Sequence, residues 1–168
     1  MLDLDWERSA PILDVNIVEL QRIFTGYNNT LIVTDFKAIQ IGCKNCNFII
    51  GTNNGRFLLR ITDKNSFNNE KVAFELLKDK INIPNLLFYT TNDKVNIFIY
   101  QYINGDSLQK HIIESNQCEY YLLEQVAKAA AVIHNIPKEN TSKLAKLDVP
   151  PIEMWYEAFL ENPTVKQR

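Results

Sequence analysis

The sequence predicts an α+β fold, in which a helix and an antiparallel sheet of about five strands precede a region built only of helices. Three observations predict it. Segments rich in β-branched and aromatic residues occupy much of 30–104. An Asn-Asn-Gly turn at 53–55 separates two such segments. Beyond Gly105, apolar residues recur at helical spacing. We therefore expect three parts: an N-terminal helical segment at 1–29, a sheet lobe at 30–104 and a helical region at 105–168.

Composition excludes several classes of protein. The 168 residues are 46% hydrophobic and 23% charged, which is ordinary for a globular chain with a core. The net charge of −2 and the lack of a long basic run argue against nucleic-acid and membrane-surface partners. The acidic start, Met1 to Trp6, does not resemble a signal peptide, and no apolar stretch approaches the ~20 residues of a membrane span. We expect a cytoplasmic protein, which the three sparse cysteines also favour.

The first elements are a helix and three strands. Asp14 is the predicted helix cap, and the helix ends near Gly26. Strands are predicted in 30–41 and around 48–50, with a break at 42–45. Because an Asn-Gly pair tolerates positive φ at both central positions, Asn54-Gly55 predicts a tight hairpin into a strand over 56–61.

The predicted elements after residue 61 are one helix, then two strands, then only helices. A helix is predicted from about 65 to 80, ended by Ile83-Pro84, because the residue before a proline avoids the α region. Two strands follow, joined around Asn92-Asp93, at 86–90 and 95–102. Three helices complete the chain, at about 108–113, 119–134 and 152–160.

Several motifs on these elements carry a family resemblance. They read GCKN at 42–45, FLLRI at 57–61, NEKVAFELL at 69–77, IFIYQYINGDSL at 97–108 and AAVIHNI at 130–136. In this order and spacing they resemble the N-terminal lobe of the aminoglycoside phosphotransferase and choline kinase-like superfamily. The resemblance covers roughly residues 36–136. It implies a protein-kinase-like fold with a nucleotide-binding lobe and hinge at 30–104, followed by the start of an incomplete second lobe.

The resemblance implies an ion pair at the centre of the site. Kinase-like folds use a cation on the third strand to contact nucleotide phosphates and to pair with a helix glutamate. Arg60 takes that place here, and Glu70 is its implied partner. Arginine can grip phosphate or carboxylate at two points. Glu75 is the competing partner, for which we prefer a surface position, and the alternative for Arg60 is an exposed strand residue.

The phosphate loop implied by the resemblance comprises Gly42, Lys44 and Asn45. Its backbone N–H groups would face phosphate oxygens. An ordinary hairpin turn is the alternative for this segment.

The implied adenine site uses the last strand and the hinge after it. The carbonyl of Gln101 and the N–H of Ile103 would bind the base, with Tyr100 as gatekeeper. Ile49 and Leu58 would sandwich the ring. The alternative is a plain edge strand followed by a turn.

The activity implied is transfer of the ATP γ-phosphate to a hydroxyl of a choline- or aminoglycoside-like molecule, with ATP and Mg²⁺ as cofactors of the complete enzyme. The family's catalytic aspartate lies in a His-Gly-Asp loop, which this sequence lacks. We therefore assign no catalytic or metal-binding residue and expect no phosphotransfer from this chain alone. Asp148 is interpreted as a surface or capping residue.

Two alternatives remain. The chain could act as an interaction module that self-associates through the apolar stripe of 122–133. Cys43 and Cys46 have the spacing of a zinc knuckle, but a structural zinc site needs four ligands and the third cysteine is the distant Cys118. Buried or turn cysteines are the interpretation we prefer.

Overall fold

The computed structural model describes residues 11–40, 45–64 and 67–141. Its class is α+β, with a five-stranded antiparallel sheet, as the sequence predicted. The elements in chain order are α1 (Ile17–Tyr27), β1 (Val33–Ile39), β2 (Cys46–Thr52), β3 (Gly55–Asp63), α2 (Phe67–Leu77), β4 (Leu86–Thr91), β5 (Val95–Gln101), α3 (Leu108–Ser115), α4 (Tyr120–His134) and a 3₁₀ turn (Lys138–Thr141). The helix predicted at 152–160 lies outside the described residues.

The strands follow one another across the sheet in the order β1-β2-β3-β5-β4, with every neighbouring pair antiparallel. β3 is therefore central, between β2 and β5. Leu59 at its middle lies opposite Phe48 on one side and Ile99 on the other. Since side chains alternate along a strand, these three residues share one face of the sheet.

The hydrophobic core lies between that face and α1. Phe24 of α1 meets Phe57 of β3 edge-on, with ring centroids 5.5 Å apart. Leu20 and Phe24 are fully buried. The remaining buried members of the core are Leu31, Val33, Cys46, Phe48, Ile50, Leu59, Ile61, Ile97 and Ile99. The hydrophobic effect of burying this face fixes the sheet against α1.

The cap of α1 corrects one prediction. Asn16, and not Asp14, caps the helix: its Oδ1 accepts from the N–H groups of Val18 and Glu19, each at 3.0 Å. Glu19 completes a capping box, because its Oε2 accepts from the Asn16 N–H at 3.0 Å. The reciprocal glutamate is what favours Asn16 over Asp14.

The β2–β3 hairpin forms as predicted, with a different turn geometry. Asn53 and Asn54 connect the strands, and Thr52 pairs with Gly55. Gly55 has a φ of 104°, whereas Asn54 is not among the residues with positive φ. The centre of the turn is therefore Asn53-Asn54, one residue before the Asn54-Gly55 pair. The Asn53 side chain explains the geometry, because it binds the main chain of Ile32 at 2.9 Å and of Thr30 at 3.1 Å.

The opposite face of the sheet carries α2. Glu70 at its first turn bonds to side chains of β3 and β5, and the Lys71 ammonium lies 5.6 Å from the centroid of the Tyr89 ring on β4. The helix ends at Leu77, three residues before the predicted end, and a turn follows. α2 thereby brings one carboxylate onto the sheet.

The later helices are less buried. No residue of α3 or α4 is fully buried in the described part of the chain. Ser107 caps α3, because its Oγ accepts from the Lys110 N–H at 3.1 Å. None of the helices among the described residues combines the length and apolar character required to cross a lipid bilayer.

Candidate functional site

The sheet face under α2 has polar residues at its centre. Leu58 and Arg60 of β3 point to this face, because they alternate with the core residues Leu59 and Ile61. The strand register places Asn47 of β2 directly across from Arg60. A cation and an amide therefore meet in the middle of the sheet.

Arg60 is held at two points. Its Nε–H donates to Asn47 Oδ1 at 2.9 Å, and its Nη1 donates to Glu70 Oε1 at 3.0 Å. The side chains of Arg60 and Glu70 are 34% and 20% exposed, so this ion pair is only partly screened by water. The competing glutamate, Glu75, pairs with Lys78 at 2.6 Å on the surface, where its side chain is 53% exposed. The structure thus pairs Arg60 with the glutamate that the sequence favoured.

Tyr100 adds a third group to this cluster. Its hydroxyl donates to Glu70 Oε1 at 2.5 Å, so a single carboxylate oxygen accepts from both Arg60 and Tyr100. The pKa of Tyr100 is raised, first because the hydroxyl is buried and then because it bonds to the negative Glu70, while Arg60 acts in the opposite direction. Tyr100 therefore stays protonated and remains a donor.

Asn47 is the member of the cluster that sequence reasoning missed. The predicted turn could not place it there, because a turn centred on Asn54 and Gly55 would pair position 60 with position 49. Only the observed turn at Asn53-Asn54 pairs position 47 with position 60. Tyr100 was predicted as a gatekeeper, but its bond to Glu70 was not anticipated. That bond depends on where α2 lies on the sheet.

A cavity of about 290 Å³ lies on the same face, next to the cluster. Its lining is mostly apolar and consists of Ile39, Ile49, Leu58, Pro84, Gln101, Tyr102, Ile103 and Gly105. Ile49, Leu58, Gln101 and Ile103 are four of the five residues that the resemblance implied for an adenine site. The fifth, the gatekeeper Tyr100, is not in the lining of this cavity. Leu58 precedes Arg60 by two strand positions, which is about 7 Å along the strand. The structure therefore brings these predicted residues together beside the cation.

The chain leaves the sheet at the mouth of this cavity. Gln101 ends β5, and its backbone N–H donates to the Asn85 carbonyl at 2.9 Å. The Asn85 side chain also donates to Gln101 Oε1 at 3.0 Å. Residues 102–107 have no regular structure, and Ile103 is 54% exposed. Ile103 is therefore exposed at the edge of the cavity.

A larger cavity, of about 460 Å³, lies between α1 and the start of β1. It is lined by Ile17, Val18, Gln21, Arg22, Thr25 and Val33. The Gln21 side chain is already committed, because it bonds to the main chain of Leu31 at 2.9 Å and of Val33 at 2.8 Å. The smaller cavity lies on the same sheet face as Arg60 and is lined by residues that the resemblance implied, so we take it as the candidate site.

The implied phosphate loop can be placed only in part. Gly42 and Lys44 lie outside the described residues, as does Cys43. Asn45 is described, half-buried, immediately before β2. Cys46 is a core residue, 5% exposed, whose Sγ accepts from the Leu13 N–H at 3.3 Å. The role of 42–45 at a phosphate stays a prediction.

Comparison with known proteins does not assign a family. No protein-family model matches the chain, and no curated protein is significantly similar to it. Within the described residues, no group of three or more histidine, cysteine, aspartate or glutamate side chains is placed to hold a metal ion. The interpretation of the site rests on its geometry.

Proposed function

We propose that this chain binds ATP, as the nucleotide-binding portion of a small-molecule kinase of the aminoglycoside phosphotransferase and choline kinase-like group with a protein-kinase-like fold. The observation that carries the proposal is the Arg60–Glu70 pair at 3.0 Å, which joins the third strand to the helix that follows it. In protein kinases a cation–glutamate pair between these two elements must be in place for phosphoryl transfer.

The arrangement of the face suits a nucleotide. An apolar cavity with an accessible main-chain segment at its edge can take a purine, because a ring needs flat apolar contacts and a few main-chain hydrogen bonds. Ile49 and Leu58 are the proposed contacts to the ring, and the main chain of Gln101 and Ile103 would bind its polar edge. Arg60, two strand positions beyond Leu58, would meet the α- and β-phosphates. The base and the phosphates of ATP would therefore lie along this face in the same order as the apolar cavity and Arg60.

The proposed activity of the complete enzyme is transfer of the ATP γ-phosphate to a hydroxyl of a choline- or aminoglycoside-like acceptor. Mg²⁺ would supply neutralisation of phosphate charge in that reaction. The part assigned to this chain is nucleotide binding in a cytoplasmic enzyme, and we expect no turnover from these 168 residues because no His-Gly-Asp sequence occurs in them.

Thermal unfolding of the full chain tests nucleotide binding. We expect Tm to rise with the concentration of ATP and Mg²⁺, since a ligand that binds only the folded state stabilises it by mass action. Arg60→Ala should abolish the rise. Arg56→Ala is the matched control, because Arg56 is an exposed arginine on the same strand, and it should leave the rise intact. A folded wild-type chain whose Tm responds to neither ATP nor ADP would refute the proposal.

A second candidate function is an interaction module that self-associates through α4. One observation favours it: large apolar side chains of this helix are exposed, namely Tyr120 at 81%, Tyr121 at 62%, Leu123 at 48%, Val126 at 52% and Ile133 at 45%. An apolar surface of this kind is typical of protein–protein contact sites. This function predicts a stable dimer without nucleotide affinity.

A further inference from the structure

We infer that Asn47 and Tyr100 are positioning residues for the phosphate-binding cation: together they fix the Arg60 guanidinium so that its remaining N–H groups face the ligand. This inference rests on the proposed nucleotide function and adds two residues to it. Neither would touch the phosphates. Both would act through Arg60, Asn47 directly and Tyr100 by way of Glu70.

Two of the five N–H donors of Arg60 are used in hydrogen bonds to other side chains. Nε–H is used by Asn47 and one Nη1–H by Glu70. No further hydrogen bond of this side chain is found among the described residues, which leaves Nη2 and the second Nη1–H for a ligand. Because Asn47 and Glu70 bind different atoms of the planar group, they set its rotation as well as its position.

Tyr100 is itself rigid, so it can hold Glu70 in place. Its residue is 9% exposed, and its ring stacks on that of the fully buried Phe98 with centroids 6.2 Å apart. The hydroxyl therefore meets Glu70 from a fixed direction, and a protonated donor there keeps the carboxylate turned toward Arg60. Without it, Glu70 would have one anchor fewer and more rotamers open to it.

Asn47 also explains what an arginine gains at position 60. A lysine ammonium carries its donors on one nitrogen at the end of a flexible stem and has no counterpart of Nε. The Asn47 contact is therefore specific to arginine. A residue that serves only the guanidinium should lose its effect when the guanidinium is removed.

Binding measurements on the full chain test this dependence. Dissociation constants for ATP with Mg²⁺ and for adenosine would be measured by calorimetry for wild type, Asn47→Ala, Tyr100→Phe, Arg60→Lys and the double variant Asn47→Ala/Arg60→Lys. We expect Asn47→Ala and Tyr100→Phe to weaken ATP binding by about tenfold, as loss of one hydrogen bond to a charged group can do, and to lower the ratio of ATP affinity to adenosine affinity. The double variant should bind ATP no more weakly than Arg60→Lys alone.

The outcomes separate the two proposals. If wild type binds ATP more tightly than adenosine but Asn47→Ala and Tyr100→Phe preserve that ratio, the inference is overturned and the nucleotide function stands. Additive losses in the double variant would also overturn it, since Asn47 would then act independently of Arg60. If wild type binds neither ligand, both fail. If Asn47→Ala does not fold, the ratio of ATP affinity to adenosine affinity in Tyr100→Phe decides the inference, because this variant keeps the buried ring. Asn54→Ala, in the turn of the same hairpin, is the control and should match wild type.

Discussion

Arg60, Glu70, Tyr100 and Asn47 form a cluster in which each side chain makes a hydrogen bond to another member. The carboxylate accepts two hydrogen bonds on one oxygen, from a guanidinium and from a phenol. Because Glu70 is only 20% exposed, loss of either donor would leave a partly desolvated charge with fewer partners, which is costly. Single changes in this cluster are therefore expected to affect the whole of it.

The raised pKa of Tyr100 gives stability a particular pH dependence. The folded chain keeps this phenol protonated beyond pH 10, whereas the unfolded chain loses the proton near pH 10, so the stabilisation is complete below pH 10 and declines as the pH rises above it. We expect the free energy of unfolding of wild type to fall more steeply above pH 10 than that of Tyr100→Phe, by up to about 1.4 kcal/mol per pH unit.

Urea unfolding between pH 8 and 11 measures this difference. Parallel curves for wild type and Tyr100→Phe would show that the hydroxyl is not held protonated by its burial and by Glu70. Asn54→Ala, which changes an exposed and uncharged side chain in the β2–β3 turn, serves as the control and should keep the wild-type slope.

At the scale of single elements, local capping decides where α1 begins. Two acceptors precede the helix, Asp14 and Asn16, but only Asn16 has a glutamate three residues later that can bond back to its own N–H. The helix carries Leu20 and Phe24 into the core, so its register matters for the packing of the whole sheet.

Replacing the cap should destabilise the protein by a measurable amount. Asn16→Ala leaves two N–H groups of the first turn without an acceptor, and we expect the free energy of unfolding to fall by about 1 kcal/mol. Asp14→Ala, two residues earlier at an exposed position, should change it by less than about 0.5 kcal/mol. Chemical denaturation of both variants checks the assignment, and equal losses would contradict it.

At the scale of the whole molecule, the two faces of the sheet have different roles. One face and α1 form the hydrophobic core, and the other carries the polar cluster, the cavity and α2. The structure can therefore accept substitutions around Arg60 without opening the core, because the two sets of side chains point in opposite directions from the same strands.

The exposed apolar face of α4 leads to a prediction about dimerisation of the chain. If it joins two copies of the chain, Val126→Asp should shift the molecule from dimer to monomer while each monomer stays folded, since Val126 is 52% exposed in the single chain. Sedimentation equilibrium over a range of concentrations measures this. Gln125→Asp adds the same charge at a neighbouring exposed position, about 100° around the helix, and should leave the dimer intact. A wild-type chain that is monomeric at all concentrations would exclude this mode of association.

Local sequence patterns alone determined the fold class and most of the secondary structure of this protein. The α+β class, the order of strands and helices, and the β2–β3 hairpin follow from periodicity, β-branched content and turn residues, which act over a few positions. The expectation that Arg60 meets Glu70 came from a family resemblance, and its role at a nucleotide stays a prediction. The helix cap was mistaken because two nearby polar residues, Asp14 and Asn16, can each accept from the first turn. The centre of the hairpin turn lies one residue before the Asn54-Gly55 pair.

Only the tertiary structure decided which distant residues meet. Pairing of β3 with β5 and the position of α2 bring Tyr100 to Glu70, thirty residues away in the chain. Ile39, Pro84 and Tyr102 join the cavity for the same reason. No local pattern encodes these contacts, because they depend on strand order and on the direction of side chains across the sheet, and both are set by burying one whole face at once.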